Sequence, residues 1–387
     1  MMNLWQLLSI QYAIYIRAKL VQMKFKIFVF VLLPAVVLSA FSINHSTHLE
    51  GDPKDSLRYP EEVHFKNLRQ LTFGADNAEA YWSFDGKKVS FQSNNKAWGL
   101  SCDQIFYMDV DKADLRNSRP QLISTGEGRT TCSFFMPGDK TILYASTHLA
   151  GKECPAEPER KPGGKYLWPV YDSYDIFVSD LKGKIVKQLT NTPGYDAEAT
   201  LSPNGDKIVF TSTRNGDLDL YTMDTNGKNV KQITNELGYD GGAFFSPDGK
   251  KIVFRASRFT TEEEKVEYQD YLKQGLVAPT KMEIFTCNVD GSDLKQITHL
   301  GKANWAPFYH PKGKKIIFSS NHKGTRGFEF NLFMINEDGS DLQQISYDKV
   351  FDSFPMFSPD GKRIIFSSNR HNGGTRNTNL FVADWVD

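Results

Sequence analysis

The segment FFSPDGKKIVFRAS, Phe244 to Ser257, decides the fold because it returns along the chain in near copies. Its Ser-Pro-Asp-Gly core is typical of a tight turn, and it stands between two apolar runs, as in a β-hairpin. Six related segments occur: WSFDGKKVSFQS from Trp82, FFMPGDKTILYAS from Phe134, LSPNGDKIVFTS from Leu201, the quoted segment, YHPKGKKIIFSS from Tyr309 and MFSPDGKRIIFSS from Met356. The chain is therefore an array of repeats.

Two further motifs keep a fixed register with this turn. Gln-Leu/Ile-Thr or a close variant stands 15 or 16 residues before each turn glycine. Short runs rich in aromatic and β-branched residues, such as DLYTMD and NLFMIN, follow each turn and favour strands. Each repeat thus predicts four strands, a to d: a ends at the turn, b is the KKIVF run, c is the LYTM run and d is the KQIT run.

Six repeats of four strands predict an all-β fold, a six-bladed β-propeller with four-stranded blades. The first motif along the chain is a d strand around Leu71, whereas the last repeat stops after its c strand, NLFVADW. The N-terminal strand is therefore expected to join the last blade and close the ring, which removes open sheet edges. A solenoid is the competing arrangement, but it needs a polar cap at each end, and the sequence shows none.

The N-terminal segment differs from the repeats. Met23-Lys-Phe-Lys precedes IFVFVLLPAVVLSAFSI, a basic and then apolar pattern typical of a secretory signal that starts at Met23. If the upstream residues belong to the chain, the segment is instead an uncleaved anchor. We divide the chain into a signal or anchor, residues 1–43, a linker, residues 44–62, and the propeller, residues 63–387. A periplasmic or secreted protein is predicted, with membrane attachment only through an uncleaved segment.

Charge and cysteine content bear on partners and compartment. The chain has 46 acidic and 46 basic side chains, and this zero formal net charge argues against a nucleic-acid surface. One disulfide among Cys102, Cys132 and Cys154 is expected in an oxidising compartment, and buried thiols are the alternative. No cysteine pair has the CxxC spacing of a zinc site. We expect a monomer.

From Phe65 to Trp385 the repeat resembles that of the TolB-like propeller family, in which QLT is followed by AEA or a variant, a WSPDGKKI-type turn and a DIY-type strand. The resemblance implies a six-bladed propeller that binds a partner in the cell envelope, as in the Tol-Pal system. TolB carries an α/β domain before its propeller, whereas here only residues 44–62 separate the signal from the propeller. A stand-alone TolB-like propeller is therefore expected rather than an orthologue.

Insertions identify the face on which function is expected. The distance from the turn glycine to strand c ranges from 16 to 39 residues, with long insertions at about residues 147–173 and 258–282. These b-to-c loops share a face with the d-to-a loops, opposite the repeated turns, and insertions confined to one face commonly mark a binding face. In the second insertion, Thr261 and Glu264 form a capping-box pattern that predicts a helix from Glu262 to Gln274.

Polar residues of these loops are the candidate ligand-binding residues at the channel mouth. The acidic and amide members are Asp76, Glu79, Asp196, Glu198, Asp240, Asn304 and Asp352, and the basic members are His148, Arg214, Arg258, His322 and Arg370. A ring of like charge is costly unless a ligand neutralises it. The alternative is structural, with acids accepting backbone hydrogen bonds and arginines bridging blades. Glu198 and Asp240 are also candidate oxygen ligands for calcium in the channel.

The motifs favour binding over catalysis. No GxSxG, HExxH or GxGxxG motif stands in a suitable context, so a non-catalytic binding or scaffold protein is predicted. Its expected partner is an envelope or periplasmic protein, of which the propeller recognises one segment, or a small ligand. The alternative is a metal-dependent polysaccharide lyase or a related carbohydrate-active propeller enzyme, because oligogalacturonate lyases resemble this propeller and use metal-binding histidines. The candidate metal ligands are His148, His310, His322 and His371, which lack the sequence spacing of a metal site.

Overall fold

Six four-stranded antiparallel sheets make up the fold, as the repeats predict. The computed structural model describes residues 56–112, 116, 118–158 and 164–387. Each of the six sheets is one blade, with strand a beside the channel and strand d at the periphery. The predicted all-β propeller is therefore confirmed.

Strand bounds follow the repeat register from blade to blade. Blade 1 consists of β2 (Asn77–Trp82), β3 (Lys88–Ser93), β4 (Gln104–Asp109) and β5 (Gln121–Leu122), and blade 2 of β6 (Thr130–Phe135), β7 (Thr141–Ser146), β9 (Asp175–Asp180) and β10 (Ile185–Gln188). Blade 3 consists of β11 (Asp196–Leu201), β12 (Lys207–Ser212), β13 (Asp219–Asp224) and β14 (Lys231–Gln232), and blade 4 of β15 (Asp240–Phe245), β16 (Lys251–Ala256), β18 (Glu283–Asn288) and β19 (Lys295–Gln296). Blade 5 consists of β20 (Asn304–Tyr309), β21 (Lys315–Ser320), β22 (Asn331–Asn336) and β23 (Gln343–Gln344), and blade 6 of β24 (Asp352–Phe357), β25 (Arg363–Ser368), β26 (Asn379–Trp385) and β1 (Phe65–Gln70). The described residues also contain β8 (Trp168–Pro169), β17 (Leu276–Val277), helix α1 (Glu262–Lys273) and a single 3-10 turn, Lys96–Trp98.

The repeated turn closes because its serine, aspartate and glycine meet different requirements. In blade 4 the Ser246 hydroxyl donates to Asp248 Oδ1 at 2.6 Å, and the Gly249 amide donates to the Ser246 carbonyl at 2.8 Å. Gly249 has φ 70°, a left-handed conformation that glycine adopts at little steric cost. The motif in the sequence is therefore the hairpin that joins strands a and b.

Apolar side chains on both faces of the blades hold neighbouring blades together. Val209 and Leu220 of blade 3 pack in one cluster with Ile252 and Phe254 of blade 4, and these side chains are fully buried. A sheet that is apolar on both faces needs a neighbour on each side. No blade therefore has a core of its own, and the ring must close to bury the last pair of faces.

The N-terminal strand closes the ring. β1 pairs antiparallel with β26, starting with Phe65 opposite Trp385. Glu62, just before β1, accepts hydrogen bonds from both terminal nitrogens of Arg370 at 2.9 and 3.0 Å, and Arg370 also donates to Asp352 at 2.9 Å. The three charged side chains are buried. The closure agrees with the sequence prediction, and a buried charge cluster reinforces it.

The insertions of blades 2 and 4 are tied to each other and to blade 1. β8 pairs with β17, so that Trp168 lies opposite Val277. Cys154 of the blade-2 insertion forms a disulfide with Cys102 of the blade-1 b-to-c loop, 52 residues away in the sequence. The predicted helix is present as α1, and the Thr261 side chain caps its N-terminus.

The assignment of residues 1–43 to a signal or anchor lies outside the described residues. Among the described ones, no helix has the length and hydropathy needed to cross a membrane. The division of the chain at residues 43 and 62 stays a prediction. Contacts with the propeller start before residue 62, because the Tyr59 hydroxyl donates at 2.7 Å to Asp348, in the loop that joins blades 5 and 6.

Replacing Glu62 by alanine is expected to lower the free energy of unfolding by about 3–5 kcal/mol, because it leaves the buried Arg370 guanidinium without one of its carboxylates. Denaturant unfolding would measure the change. The control is Glu61→Ala, which removes an exposed glutamate from the same segment. Equal, small effects of both substitutions would contradict a closing role for the buried cluster.

Replacing both Cys102 and Cys154 by serine is expected to lower the free energy of unfolding by about 2–4 kcal/mol, because the unfolded chain then loses a cross-link that closes a long loop. Thermal unfolding with and without dithiothreitol would measure it. The reductant should destabilise the native protein and leave the double variant unchanged. A native protein insensitive to reductant would contradict the tether.

Candidate functional site

A β-bulge at the same place in all six inner strands sets which side chains reach the channel. The third residue of each inner strand has a left-handed φ, between 41° and 59°. Such backbone strain is uncommon outside glycine and is concentrated at functional sites. The six residues, which we call the bulge ring, are Glu79, Cys132, Glu198, Gly242, Ala306 and Phe354.

Aromatic side chains close the channel on the turn side of the bulge ring. Tyr81 of blade 1 contacts Phe244 of blade 4, on the opposite side of the propeller, with ring centroids 6.1 Å apart. Phe134 packs against Tyr81 at 5.9 Å, and Phe308 packs against Phe244 at 5.1 Å. The channel is therefore a dead end for a ligand that arrives from the insertion face.

A cleft of about 920 Å³ opens on the insertion side of the bulge ring, and we call it the channel-mouth cleft. Asp76 and Glu79 of blade 1 supply its acidic groups. Apolar pockets with a few polar groups are typical of ligand sites. Successive centroids in its aromatic wall are 4.2 to 6.4 Å apart, and the wall consists of Trp168, Trp305, Phe330, Phe351 and Phe354.

Tyr166 of the blade-2 insertion and Phe328 of blade 5 stand at the rim of the cleft. Their side chains are 45% and 50% exposed, whereas Trp305 and Phe330 beneath them are buried. Exposed aromatic residues beside an apolar pocket are common anchors for a binding partner. The rim can therefore be altered without disturbing the core.

Glu79 is a channel carboxylate with neutral hydrogen-bond donors. Its Oε2 accepts from the Cys132 thiol at 3.0 Å and from the Tyr81 hydroxyl at 3.3 Å. Burial raises the pKa of Glu79 above its usual range, because these bonds only partly replace water. Glu79 lines the cleft and also a smaller cavity of about 160 Å³ beside the blade-2 insertion.

Glu198 occupies the equivalent position in blade 3 and is saturated by the protein. Its Oε1 accepts from Arg255 at 2.9 Å, and its Oε2 accepts from Thr211 at 3.0 Å and from the Gly242 amide at 2.7 Å. The Tyr239 hydroxyl adds a bond at 2.6 Å. Burial opposes the charge on Arg255, but Tyr239 and Glu198 outweigh it and raise the pKa of Arg255.

Three predicted acids pair with predicted arginines inside their own blades. Each acid starts strand a and each arginine follows strand b, and the pairs are Asp196–Arg214 at 2.8 Å, Asp240–Arg258 at 2.6 Å and Asp352–Arg370 at 2.9 Å. Burial raises the pKa of Asp240 to about 6 despite Arg258. The predicted arginine bridges between blades are therefore replaced by pairs within one blade. Ligand binding by these residues stays a prediction, to which their burial lends no support.

Of the remaining predicted residues, Asn304 and His322 meet at one hydroxyl, that of Ser320, whereas Asp76 and His148 belong to other blades. Asn304 accepts from the Ser320 hydroxyl at 2.6 Å and is buried, whereas Asp76 is exposed in the cleft. His148 and His322, on different blades, each bond a serine hydroxyl through Nδ1 at 2.9 Å. Burial lowers the pKa of both imidazoles. Within the described residues, no group of three or more His, Cys, Asp or Glu could hold a metal ion.

The sequence predicts Glu198 and Asp240 as candidate calcium ligands. Both carboxylates are occupied by guanidinium groups, Glu198 by Arg255 and Asp240 by Arg258. A buried carboxylate that is paired with arginine has little remaining charge to offer a cation. Calcium binding by the two residues stays a prediction, to which these ion pairs lend no support.

The residues of the aromatic wall are not among the predicted site residues. Trp305, Phe351 and Phe354 lie within the d-to-a segments NWAPF and VFDSFPMF, so their presence near the channel could be read from the repeat. Their mutual contact could not, because Phe330 comes from a b-to-c loop and Trp168 from the insertion of another blade.

Replacing Asp240 by alanine is expected to lower the free energy of unfolding by about 2–3 kcal/mol, because Arg258 loses its buried carboxylate and keeps only the exposed Glu236 as an ionic partner. Denaturant unfolding measures the change. Asp172→Ala, which truncates an exposed aspartate of the blade-2 insertion, is the control and should leave stability unchanged. A stability unaffected by Asp240→Ala would contradict a structural role for the Asp240–Arg258 pair.

Residues 152–277 match the family model described as the TolB beta propeller domain. No curated protein sequence matches the chain. A protein from Agrobacterium tumefaciens assigned as TolB is 18% identical with a TM-score of 0.52, and the match covers 81% of this chain and 91% of that one. A gluconolactonase from Xanthomonas campestris is 11% identical with a TM-score of 0.53, over 84% and 91%. An oligogalacturonate lyase from Vibrio parahaemolyticus is 12% identical with a TM-score of 0.45, over 82% and 93%.

At these identities the solved structures share the fold alone with this chain. They include a protein assigned as TolB and a lactonase, so the fold by itself selects no activity. The family match lies in blades 2 to 4, which carry the same repeat register as the other blades. The chain is a six-bladed β-propeller, and residues 152–277 within it match the TolB beta propeller domain.

Proposed function

We propose that the protein is an exported, non-catalytic binding protein that recognises a protein segment or a small ligand in the channel-mouth cleft. The observation that carries the proposal is the aromatic wall beside the acidic groups of Asp76 and Glu79, with segments of both long insertions at the edge. The closed channel beyond it makes the cleft a place of recognition rather than a passage. A protein is the favoured partner, because exposed aromatic anchors flank the cleft, and the match to the TolB beta propeller domain favours one in the cell envelope.

Export is supported by two independent features. The basic and apolar pattern that starts at Met23 is typical of a secretory signal. The Cys102–Cys154 disulfide fits an oxidising compartment, since cytosolic thiols are kept reduced. We therefore place the protein in the periplasm or outside the cell, with membrane attachment if the N-terminal segment is retained.

The alternative, a metal-dependent polysaccharide lyase, would need histidines that converge. His148 and His322 instead bond serine hydroxyls in separate blades and pack on Phe177 and Phe333, with ring centroids 4.5 and 4.4 Å apart. Binding without chemistry is the function that the described side chains support best.

A rim variant with Tyr166→Ser and Phe328→Ser is expected to lose about tenfold or more in affinity for the native partner, because exposed aromatic anchors carry a large share of binding free energy. The measurement is capture from a solubilised cell envelope of the native host, followed by titration of the captured component.

The control variant carries Leu149→Ser and Val266→Ser, which truncate two exposed apolar residues that do not line the cleft. It should capture the same component as the native protein. Equal capture by the rim variant and the control, with all three proteins folded, would place the binding surface elsewhere and overturn the proposal.

A further inference from the structure

Two glutamates of the bulge ring occupy equivalent positions but differ in what neutralises them. Glu198 accepts from the Arg255 guanidinium at 2.9 Å. Within the described part of the chain, Glu79 accepts only from neutral groups, the Cys132 thiol and the Tyr81 hydroxyl. The same strained backbone thus presents one carboxylate hydrogen-bonded to a guanidinium and one, Glu79, that Arg255 reaches only through its electric field, without a hydrogen bond.

The strand register explains the difference. Arg255 lies opposite Gly241, the second residue of strand a in blade 4. The residue opposite the second residue of strand a in blade 2 is Ala145. Blade 2 follows blade 1 in the same way as blade 4 follows blade 3. Ala145 therefore occupies the position beside Glu79 that Arg255 occupies beside Glu198. A methyl group takes the place of a guanidinium.

Space for a ligand group lies beside Glu79. The cavity of about 160 Å³ next to the carboxylate adjoins the channel-mouth cleft, and both are lined by Glu79, Trp168 and Phe354. Aromatic faces attract cations as well as apolar groups. Arg255 itself shows this arrangement, with its guanidinium 5.0 Å from the Trp168 ring centroid.

Other basic groups around the cleft already have partners. Arg129, which lines the small cavity, pairs with Asp103 at 3.6 Å and with Glu157. At the outer cleft, Lys165 pairs with Glu267, and Lys302 donates to the Gly324 carbonyl at 2.7 Å. The desolvation that raises the pKa of Glu79 would be offset by a bound positive charge.

We propose that Glu79 binds a planar cation, a guanidinium or amidinium group, of the ligand that enters the channel-mouth cleft. This inference rests on the proposed function and names the group that the site recognises. The bound group would repeat the Arg255–Glu198 geometry at the equivalent place in the ring. An arginine side chain of a protein segment and a small amidine share this chemistry.

The test compares molecules of one shape and different charge. Benzamidine, benzamide and benzoate are titrated against the native protein by NMR chemical-shift perturbation. Benzamidine is expected to bind about tenfold more tightly than benzamide, because a half-buried ion pair adds to ring contacts that both molecules make. N-acetyl-arginine amide and its neutral isostere N-acetyl-citrulline amide form a second pair. A larger ratio for this pair than for benzamidine over benzamide identifies a peptide as the source of the cation.

Two variants assign the effect to one carboxylate. Glu79→Gln keeps the size and the hydrogen bonds of the side chain and is expected to bring the benzamidine-to-benzamide ratio to within about twofold of unity. Asp172→Asn, which neutralises an exposed carboxylate of the blade-2 insertion that lines neither the cleft nor the small cavity, should keep the native ratio. Comparable ratios in the native protein and Glu79→Gln, preferential binding of benzoate, or no binding of any of the three would overturn the inference.

The comparison within the native protein stands even if Glu79→Gln fails to fold. The proposed function fails on a different result, undiminished capture by the rim variant. Loss of capture by the rim variant together with no preference for cations would keep the cleft as the binding site and remove only the cation from its ligand.

Discussion

The buried contact of Arg370 with Glu62 and Asp352 is the constraint on which the rest of the structure depends. Each blade is apolar on both faces, so the hydrophobic stabilisation of every blade requires a neighbour on both sides. The last neighbour is supplied when β1 pairs with β26 and Glu62 binds Arg370, with both side chains fully buried. A buried ion pair adds little net stability over an apolar one, but it is intolerant of a wrong partner. The contact therefore specifies closure, because a wrong pairing would leave a buried charge without its partner.

Ring closure brings six copies of one backbone irregularity around a single axis. The bulge turns the third residue of each inner strand, so the identity of that residue decides the local chemistry of the channel. Blades 1 and 3 present glutamate, blade 2 cysteine, and blade 6 phenylalanine. The repeat is thus symmetric in backbone and asymmetric in side chains, and this asymmetry gives one side of the channel mouth an aromatic wall and the other an acidic character.

Turn chemistry and strand counting predict most of the fold, because the Ser246 to Gly249 turn is local and recurs in register. Closure of the ring follows from the strand count, and α1 follows from the capping-box pattern. The site is harder to predict. Asp196 and Glu198 are two residues apart, which a regular strand places on one face, but the register shift after Ala197 breaks that alternation. Asp196 turns to Arg214 within its blade, while Glu198 reaches Arg255 of the next blade.

The central claim is that binding takes place on the insertion face, in the channel-mouth cleft. The opposite, turn face has its own apolar depression of about 310 Å³, which includes Pro203, Pro247 and Pro359, so the two faces compete as binding surfaces. Hydrogen–deuterium exchange of the complex captured from the native envelope, compared with the free protein, tests the choice most directly. The account predicts slower exchange at residues 164–168, 327–330 and 351–354. Protection confined to the repeated turns, with the cleft segments unchanged, would contradict it.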